Sequence, residues 1–418
     1  MPNLTILSAS FRTSLKPARL FAIGLCLSIA ACETPPPKAP APAPVVVVPP
    51  PPPAAHPLDK DLPAFLRLPN QAADVTPVRV GIILPFGSSA AATRNLATAM
   101  MNAAELALFD GKNKDIVLMT ADEGNGGAGA AAAAQKLLAQ GAEIIIGPLF
   151  GTSVSAVAPI AKDRGIPVLA FSTEKSVAGN GTYLLSFLPQ SEVSRVVAYA
   201  VAQGHHNLAA MVPQNDYGQV VAGAFNDAVK AAGANNVAVE YFAPTASAVM
   251  APAQTIAKSN ADAVIVAQGG TVLKAIGPSL AFNGLDTAKV KLLGTGLWYD
   301  PTIGREQTLN GGWFAAPEPT AADNFNAKYK DAYGATPPQL ATLAYDAISL
   351  VALLAPGPAY HRFTQAALMD PNGFAGVDGI FRFRPDGTSQ RGLAVLEVGP
   401  DGFNVVSPAP KTFENSPS

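Results

Sequence analysis

The chain has 418 residues and a formal net charge of −2 at pH 7. The first 31 residues contribute +3 to that charge, so the remainder carries −5, and this balance gives no indication of a nucleic-acid ligand. The only two cysteines, Cys26 and Cys32, lie near the N-terminus, which excludes an internal disulfide or a thiolate metal site in the body of the chain.

Residues 1–31 have the pattern of an export signal. They contain no acidic residue, and basic residues precede an apolar run, Leu20–Ala31, that is shorter than the about 20 residues a membrane-spanning helix needs. The segment Ile29–Cys32 resembles the bacterial lipobox, which implies cleavage before Cys32 and acylation of Cys32. The sequence therefore predicts a lipid-anchored protein on the periplasmic side of the cell envelope, with the choice of membrane left open. The alternative is an ordinary secretory signal with a chance cysteine.

Residues 32–74 are predicted to form a tether between the lipidated cysteine and the folded part. Proline and alanine dominate from Glu33 to about Pro57, and proline disfavours helices and sheets while favouring polyproline II. At about 3.1 Å per residue, such a spacer would reach roughly 75 Å. A disordered stalk without a required length is the alternative. Both interpretations hold the folded part away from the membrane surface.

Residues 75–410 alternate short apolar strands with helices. The predicted strands are 78–84, 116–119, 143–146, 166–171, 208–212, 237–242, 263–267 and 291–294. The predicted helices are 95–108, 128–140, 153–164, 195–203 and 219–232. Buried strands that alternate with helices predict parallel sheets with crossover helices on both faces. Two such units in one chain predict a two-lobed α/β protein.

The loops that follow the predicted strands carry the candidate site. Ligands of open parallel sheets bind beyond the carboxyl ends of the strands, and six such loops here are rich in hydroxyl groups, glycine amides and helix N-termini. They predict a site for a small polar or anionic molecule. The candidate ligand-binding residues are Ser88, Thr152, Ser153, Ser172, Thr173, Glu174, Tyr217, Gln268 and Trp298. Each residue alone also fits a helix cap or a tight turn, and the coincidence across six loops is what favours a cleft.

Several segments together carry a family resemblance. They are Val80–Pro85, Ile145–Leu149, Gly165–Leu169, Asp216–Gly218, Gly376–Gly379, Phe381–Phe383 and Asp386-Gly387. In this order and spacing, residues 78–406 resemble the type I periplasmic-binding proteins of the leucine/isoleucine/valine-binding group. The resemblance implies two mainly parallel, helix-flanked lobes that are joined by three crossovers and close on a ligand by hinge motion. The implied bounds are about 75–188 plus 312–372 for lobe 1, about 189–311 plus 373–410 for lobe 2, and 411–418 for a tail.

The resemblance also implies how a ligand would be held. Amino-acid carriers of this family bind the ligand carboxylate with first-lobe hydroxyls and amides, at positions matched here by Thr152, Ser153 and Ser172. This chain departs from them at Glu174, where the carriers have a threonine. A desolvated carboxylate there would repel an amino acid by roughly several kcal/mol. The implied partners are a small polar or amino-acid-like solute and an ABC permease.

A second departure concerns the ligand ammonium group. The carriers place an acidic residue after the second-lobe strand, whereas this chain has Gly296 at the matching position. Asp300 and Asp216 are the candidates to replace that acidic residue.

A second branch of the same fold offers an alternative function. Envelope lipoproteins that activate penicillin-binding proteins use this domain to contact a peptidoglycan synthase. The segments Gly147–Phe150, Ala170–Thr173 and Gly294–Trp298 resemble that branch. The implied partner is then a penicillin-binding protein rather than a permease.

The sequence contains no motif that indicates catalysis. The four histidines are His56, His205, His206 and His361, and none lies in a metal-binding spacing. The glycine-rich run Gly124–Gly129 lacks the Lys-Ser/Thr pair of a phosphate-binding loop. The sequence predicts a protein that is not an enzyme and needs no cofactor or metal.

Overall fold

A computed structural model describes residues 76–112 and 115–414 of the chain. The predicted signal peptide, the lipidation of Cys32 and the tether lie outside the described residues. Within the described ranges, every helix falls short of the length and apolarity needed to cross a bilayer.

The first sheet is fully parallel and has the strand order β2-β1-β3-β4-β5. Its elements are β1 Val78–Leu84, α1 Ala91–Asp110, β2 Ile116–Asp122, α2 Gly127–Ala139, β3 Ile144–Ile146, α3 Gly151–Lys162, β4 Val168–Ala170 and β5 Thr182–Leu184. Every residue of β1, β3, β4 and β5 is buried, because the sheet is covered on both faces. This burial explains why these strands are mainly apolar instead of alternating, with Arg79 of β1 and Thr182 of β5 as buried polar exceptions.

The second sheet has seven strands in the order β15-β14-β10-β9-β8-β6-β7. Its elements are α4 Pro189–Ala202, β6 Asn207–Pro213, α5 Asp216–Ala231, β7 Asn235–Phe242, α6 Met250–Ala257, β8 Ala263–Val266, α7 Gly270–Phe282, β9 Lys291–Gly294, β10 Trp313–Ala316, β14 Ala394–Gly399 and β15 Gly402–Ser407. Strands β6 to β10 are parallel, whereas β14 and β15 add to the β10 edge in antiparallel orientation. Apolar clusters cover both faces of this sheet.

The remaining elements return to the first sheet. They are α8 Asp323–Tyr333, α9 Ala341–Leu354, α10 Gln365–Leu368 and a small antiparallel sheet of β11 Phe374–Gly376, β12 Gly379–Phe383 and β13 Ser389–Arg391. Their buried side chains join the core beneath α1 and β1. We therefore define the first lobe as β1–β5, α1–α3, α8–α10 and β11–β13, and the second lobe as α4–α7, β6–β10 and β14–β15.

The two-lobed α/β architecture confirms the predicted fold class, but two predicted lobe boundaries differ from the structure. The strand Trp313–Ala316 pairs with β9 and β14, so residue 312 does not begin the return to the first lobe. Residues 373–391 pack on the first-lobe core through Phe374, Phe381 and Phe383 instead of joining the second lobe. The three connections between lobes therefore run from β5 to α4, from β10 to α8 and from β13 to β14.

Candidate functional site

A cleft of about 230 Å³ lies between the two lobes, near the carboxyl ends of the strands. Its lining residues from the second lobe are Pro189, Glu192, Tyr217, Gly296, Leu297, Tyr299 and Ala316. Its other lining residues are Thr173, Gln339 and Leu340 of the first lobe and Phe187 and Pro317 of the connections. A second cavity of about 500 Å³, which we call the first-lobe cavity, shares Thr173 and Leu340 with this interlobe cleft. The two cavities together form one candidate binding region.

The carboxylate of the second-lobe wall belongs to Glu192, in the first turn of α4. Its Oε2 accepts a hydrogen bond of 2.9 Å from the Gly296 amide, which lies in a 3₁₀ turn directly after β9. A Cβ atom at residue 296 would lie 2.6 Å from Glu192 Oε1, so the carboxylate fills space that the glycine leaves open. Burial raises the pKa of Glu192 to about 7, against the opposing effect of the Gly296 amide.

The sequence-based candidates for the acidic residue of the carriers, Asp300 and Asp216, do not line the cleft, whereas Glu192 does. Asp300 accepts a hydrogen bond of 2.9 Å from the Thr302 amide and caps the 3₁₀ turn Pro301–Arg305. Asp216 is exposed in the first turn of α5, and neither aspartate lines the cleft. Sequence reasoning missed Glu192 because the residue is 104 positions from Gly296 and has the ordinary appearance of an acidic residue in the first turn of a helix.

Tyr217 places a hydroxyl group on the same wall. Its Oη lies 2.8 Å from Thr295 Oγ1, and the Thr295 side chain is fully buried. Burial raises the pKa of Tyr217, and the nearby charge of Glu192 raises it further, so the phenol remains protonated at neutral pH. The second-lobe wall therefore combines the Glu192 carboxylate with the Tyr217 phenol, which come from separate elements.

The first-lobe wall is built from the segment after β4. Ser172 is 4% exposed, and its Oγ accepts a hydrogen bond of 3.1 Å from the Glu174 amide. Thr173 lines both cavities, and Glu174 lines the first-lobe cavity. A Cβ atom at Gly151, the first residue of α3, would lie 1.9 Å from Glu174 Oε2. The Glu174 carboxylate therefore covers the N-terminus of α3, where the helix dipole favours negative charge.

The structure thus brings four predicted residues to the binding region, namely Ser172, Thr173, Glu174 and Tyr217. It does not bring the other five there. Ser88 Oγ accepts a hydrogen bond of 3.3 Å from the Ala90 amide, and the Gln268 amide donates one of 3.2 Å to the Gly269 carbonyl. The Gln268 donor is its side-chain Nε2, and both contacts are local turn contacts outside the two cavities.

The predicted residues on α3 also face away from the cleft. Thr152 is exposed and lines neither cavity. Ser153 is completely buried beside the carboxyl group of Glu123. Burial raises the pKa of Glu123, and the Ser153 hydroxyl and the Leu149 amide oppose that rise. Ser153 is therefore an internal residue that lines neither cavity.

Trp298 is a core residue of the second lobe. It is fully buried, and its Nε1 donates a hydrogen bond of 3.1 Å to the Val266 carbonyl. A Cβ atom at Gly294 would lie 2.2 Å from its indole ring, so that glycine makes room for the side chain. The same loop instead presents Leu297 and Tyr299 to the cleft.

No group of His, Cys, Asp and Glu residues within 76–112 and 115–414 could hold a metal ion. Lys175, the residue after Glu174, has its Nζ 3.3 Å from Asp386 Oδ2, and both of these side chains are exposed.

Comparisons with known proteins support the fold assignment. The chain is similar to a putative branched-chain amino acid ABC transporter from Rhodospirillum rubrum, with a TM-score of 0.70 and 20% identity over 79% of this chain and 100% of that one. It is also similar to a branched chain amino acid ABC transporter periplasmic ligand-binding protein from Burkholderia xenovorans, with a TM-score of 0.65 and 18% identity over 80% of this chain and 96% of that one. At these identities the likeness shows the fold alone.

The chain also matches part of one relative and the model of one protein family. Penicillin-binding protein activator LpoA from Vibrio cholerae is 29% identical over 103 residues, which are 24% of this chain and only 17% of LpoA. The model of the family described as periplasmic binding protein matches residues 77–403. Since this match covers well over half of the sequence, the chain belongs to the periplasmic binding protein family, in its leucine-binding-like type I group.

Proposed function

We propose that the chain is a lipid-anchored solute-binding protein that holds a small polar or amino-acid-like solute between its lobes and delivers it to an ABC permease. The observation that carries this proposal is the interlobe cleft, to which both lobes contribute polar groups. Among the described residues, the Glu192 carboxylate accepts its one hydrogen bond from the Gly296 amide, and it does so through Oε2. A ligand donor in the cleft can therefore use Oε1. The transporter names of the structural neighbours support delivery to a permease.

Ligand-dependent thermal stability tests this function. A ligand that binds only the folded state stabilises it by about 2.7 kcal/mol at a concentration of 100 Kd. We expect at least one compound in a panel of amino acids, amides, amines and peptidoglycan fragments to raise the Tm. Glu192→Ala should abolish that rise, whereas Asp227→Asn, at an exposed position on α5, should keep it. A panel without any Tm rise would contradict solute binding.

The lipid anchor has its own test. Radioactive palmitate supplied to growing cells should label the wild-type protein, and Cys32→Ala should abolish that label. An equally labelled variant would contradict acylation at this residue.

One observation favours a second function, the activation of a penicillin-binding protein. The match to LpoA covers 103 residues at 29% identity, and the predicted anchor and tether suit a protein that reaches a partner across the envelope. This function predicts co-purification of a bifunctional penicillin-binding protein and faster glycan synthesis when the chain is added. Stimulation that survives Glu192→Ala and Tyr217→Ala would assign it to the outer surface instead of the cleft.

A further inference from the structure

We propose that the cleft selects an organic cation, an amine or quaternary ammonium compound without a carboxylate, over a zwitterionic amino acid. The inference rests on the proposed solute-binding function and specifies the chemical class of the solute. Three features of the two cavities support it: a carboxylate on each wall, the absence of a balancing cation among the described lining residues, and several aromatic rings.

The second-lobe carboxylate is positioned to accept from a ligand cation. Glu192 is held by the Gly296 amide at 2.9 Å, which fixes the orientation of its carboxylate at the cleft wall. The Gly296 amide is the one hydrogen-bond donor that the described residues give this carboxylate, and it bonds to Oε2, so Oε1 has room for a donor from the cleft that Glu192 lines. A protonated amine supplies both the hydrogen-bond donor and the positive charge that this oxygen lacks, whereas a quaternary ammonium group supplies the charge alone.

The first-lobe wall repels a ligand carboxylate. Glu174 Oε1 accepts a hydrogen bond of 2.6 Å from the Ser176 hydroxyl, and Oε2 lies against Gly151 at the start of α3. A helix N-terminus is a site that binds anions, and here a side chain of the protein already supplies the anion. A ligand carboxylate that approaches this helix end therefore meets a carboxylate instead of free amide groups.

No lysine or arginine is among the described residues that line the two cavities. Lys175 follows Glu174 in sequence but pairs with Asp386. The Arg391 guanidinium stacks 4.7 Å from the Phe187 ring, yet it is buried, lies 3.6 Å from Asp346 and does not line the cleft. The charge of the two glutamates is therefore left for a ligand to balance.

Aromatic side chains complete the environment of a cation. Tyr217 and Tyr299 line the interlobe cleft, and Phe150 and Phe171 line the first-lobe cavity. Aromatic faces attract ammonium groups, most strongly when the groups are alkylated and weakly hydrated. Phe187 already stacks with a guanidinium from the protein.

Calorimetric titration with four probes at equal ionic strength tests the inference. The two cationic probes are 1,4-diaminobutane, a diamine, and choline, a quaternary ammonium ion. The other two probes are isoleucine, a zwitterion, and isovalerate, a carboxylate. We expect at least one of the two cations to bind with a Kd at least ten times lower than that of isoleucine, and isovalerate not to bind. Glu192→Gln and Glu174→Gln should each weaken cation binding at least tenfold, while Asp227→Asn leaves it unchanged. Glutamine keeps the acceptor for the Gly296 amide, and the Tm of each variant without ligand verifies its folding.

Results that contradict the cation preference differ from results that contradict solute binding itself. Isoleucine or isovalerate that binds as tightly as the better cation would overturn the cation preference and leave the solute-binding function intact. Cation binding that persists in the variant with both Glu192→Gln and Glu174→Gln would show that the two carboxylates do not provide the selectivity. Failure of all four probes, together with a failed wider panel, would contradict the proposed function itself.

Discussion

The two walls of the cleft carry glutamates in different physical situations. Glu174 is exposed on the first-lobe wall, and its carboxylate is held by Ser176 and by the start of α3. Glu192 is half-buried on the second-lobe wall and is bonded to a single backbone amide. Solvent screens the charge of the first, whereas the environment of the second penalises ionisation. One wall therefore carries a screened charge, and the other carries a charge that responds to pH.

The largest effect is expected from a new side chain next to Glu192. Gly296→Asp places a second carboxylate where the Glu192 carboxylate lies and displaces its hydrogen bond, so we expect the free energy of unfolding at pH 7.5 to fall by about 3 kcal/mol. Urea denaturation measures this change. Addition of Glu192→Ala should restore most of the loss, and Gly223→Asp, where nothing lies within 4 Å, is the matched control. An unaffected Gly296→Asp variant would mean that the two positions do not compete for space.

The second largest effect is expected in the pH dependence of the free energy of unfolding, to which Glu192 contributes. The pKa of Glu192 rises from its ordinary 4.5 to about 7 in the folded state, so the folded protein binds this proton more tightly than the unfolded chain does. Stability that is present below about pH 4.5 is therefore lost as the pH rises towards 7. Glu192→Gln should be more stable than the wild type at pH 8 by on the order of 2 kcal/mol, with little difference at pH 4.5.

Denaturation midpoints measured at both pH values check this expectation. Burial also raises the pKa of Asp346 to about 7, so the wild-type curve contains a second contribution of the same sign that Glu192→Gln leaves in place. Glu174→Gln serves as the control for a charge change at the exposed wall. Equal pH profiles for the wild type and Glu192→Gln would contradict the distinction between the walls.

A smaller effect is expected from the phenol on the second-lobe wall. Tyr217→Phe removes the hydrogen bond to Thr295 and leaves that buried hydroxyl without a partner, at a cost of about 1 kcal/mol. Chemical denaturation gives the value, and Tyr241→Phe at a 45% exposed position is the control. Equal losses in the two variants would show that the Tyr217 contact does not stabilise the wall.

The smallest effect is expected at the exposed wall. Glu174→Gln keeps an acceptor for Ser176 and should change the free energy of unfolding by less than about 0.5 kcal/mol, even though it weakens cation binding. The same denaturation experiment measures both glutamate variants side by side. A loss of 2 kcal/mol or more would show that the charge of Glu174 is a major part of the stability of the first lobe and is not a screened charge at an exposed wall.

The fold could be predicted from the sequence because its main signals are local. Strands such as Val78–Leu84 and Ala263–Val266 are mainly apolar runs that are each followed by a helix, and the structure has them within one or two residues of the predicted bounds. The lobe boundaries near residues 312 and 373 were predicted less well. Whether Trp313–Ala316 extends the second sheet depends on its pairing with β9 and β14, and sequence periodicity does not contain that information.

The candidate site also has one part that the sequence predicts and one part that it does not. Ser172, Thr173 and Glu174 follow a single strand, so their presence near the cleft followed from the position of β4 alone. The second-lobe wall joins Glu192 to Gly296 across 104 residues, which only the folded chain reveals. Trp298 misled the prediction because an aromatic residue in a glycine-rich loop fits both a ligand and a core, and the room beside Gly294 and Gly312 decides for the core.

The antiparallel end of the second sheet has a consequence for how the chain is made. Strand β10 is completed by β14 and β15, which are the last strands in the described part of the chain. Because synthesis proceeds from the N-terminus, β10 presents an unpaired edge until β14, residues 394–399, has emerged. Such an edge is a template for pairing with other chains, so the interval before the last strands arrive is when we expect this protein to be most prone to aggregation.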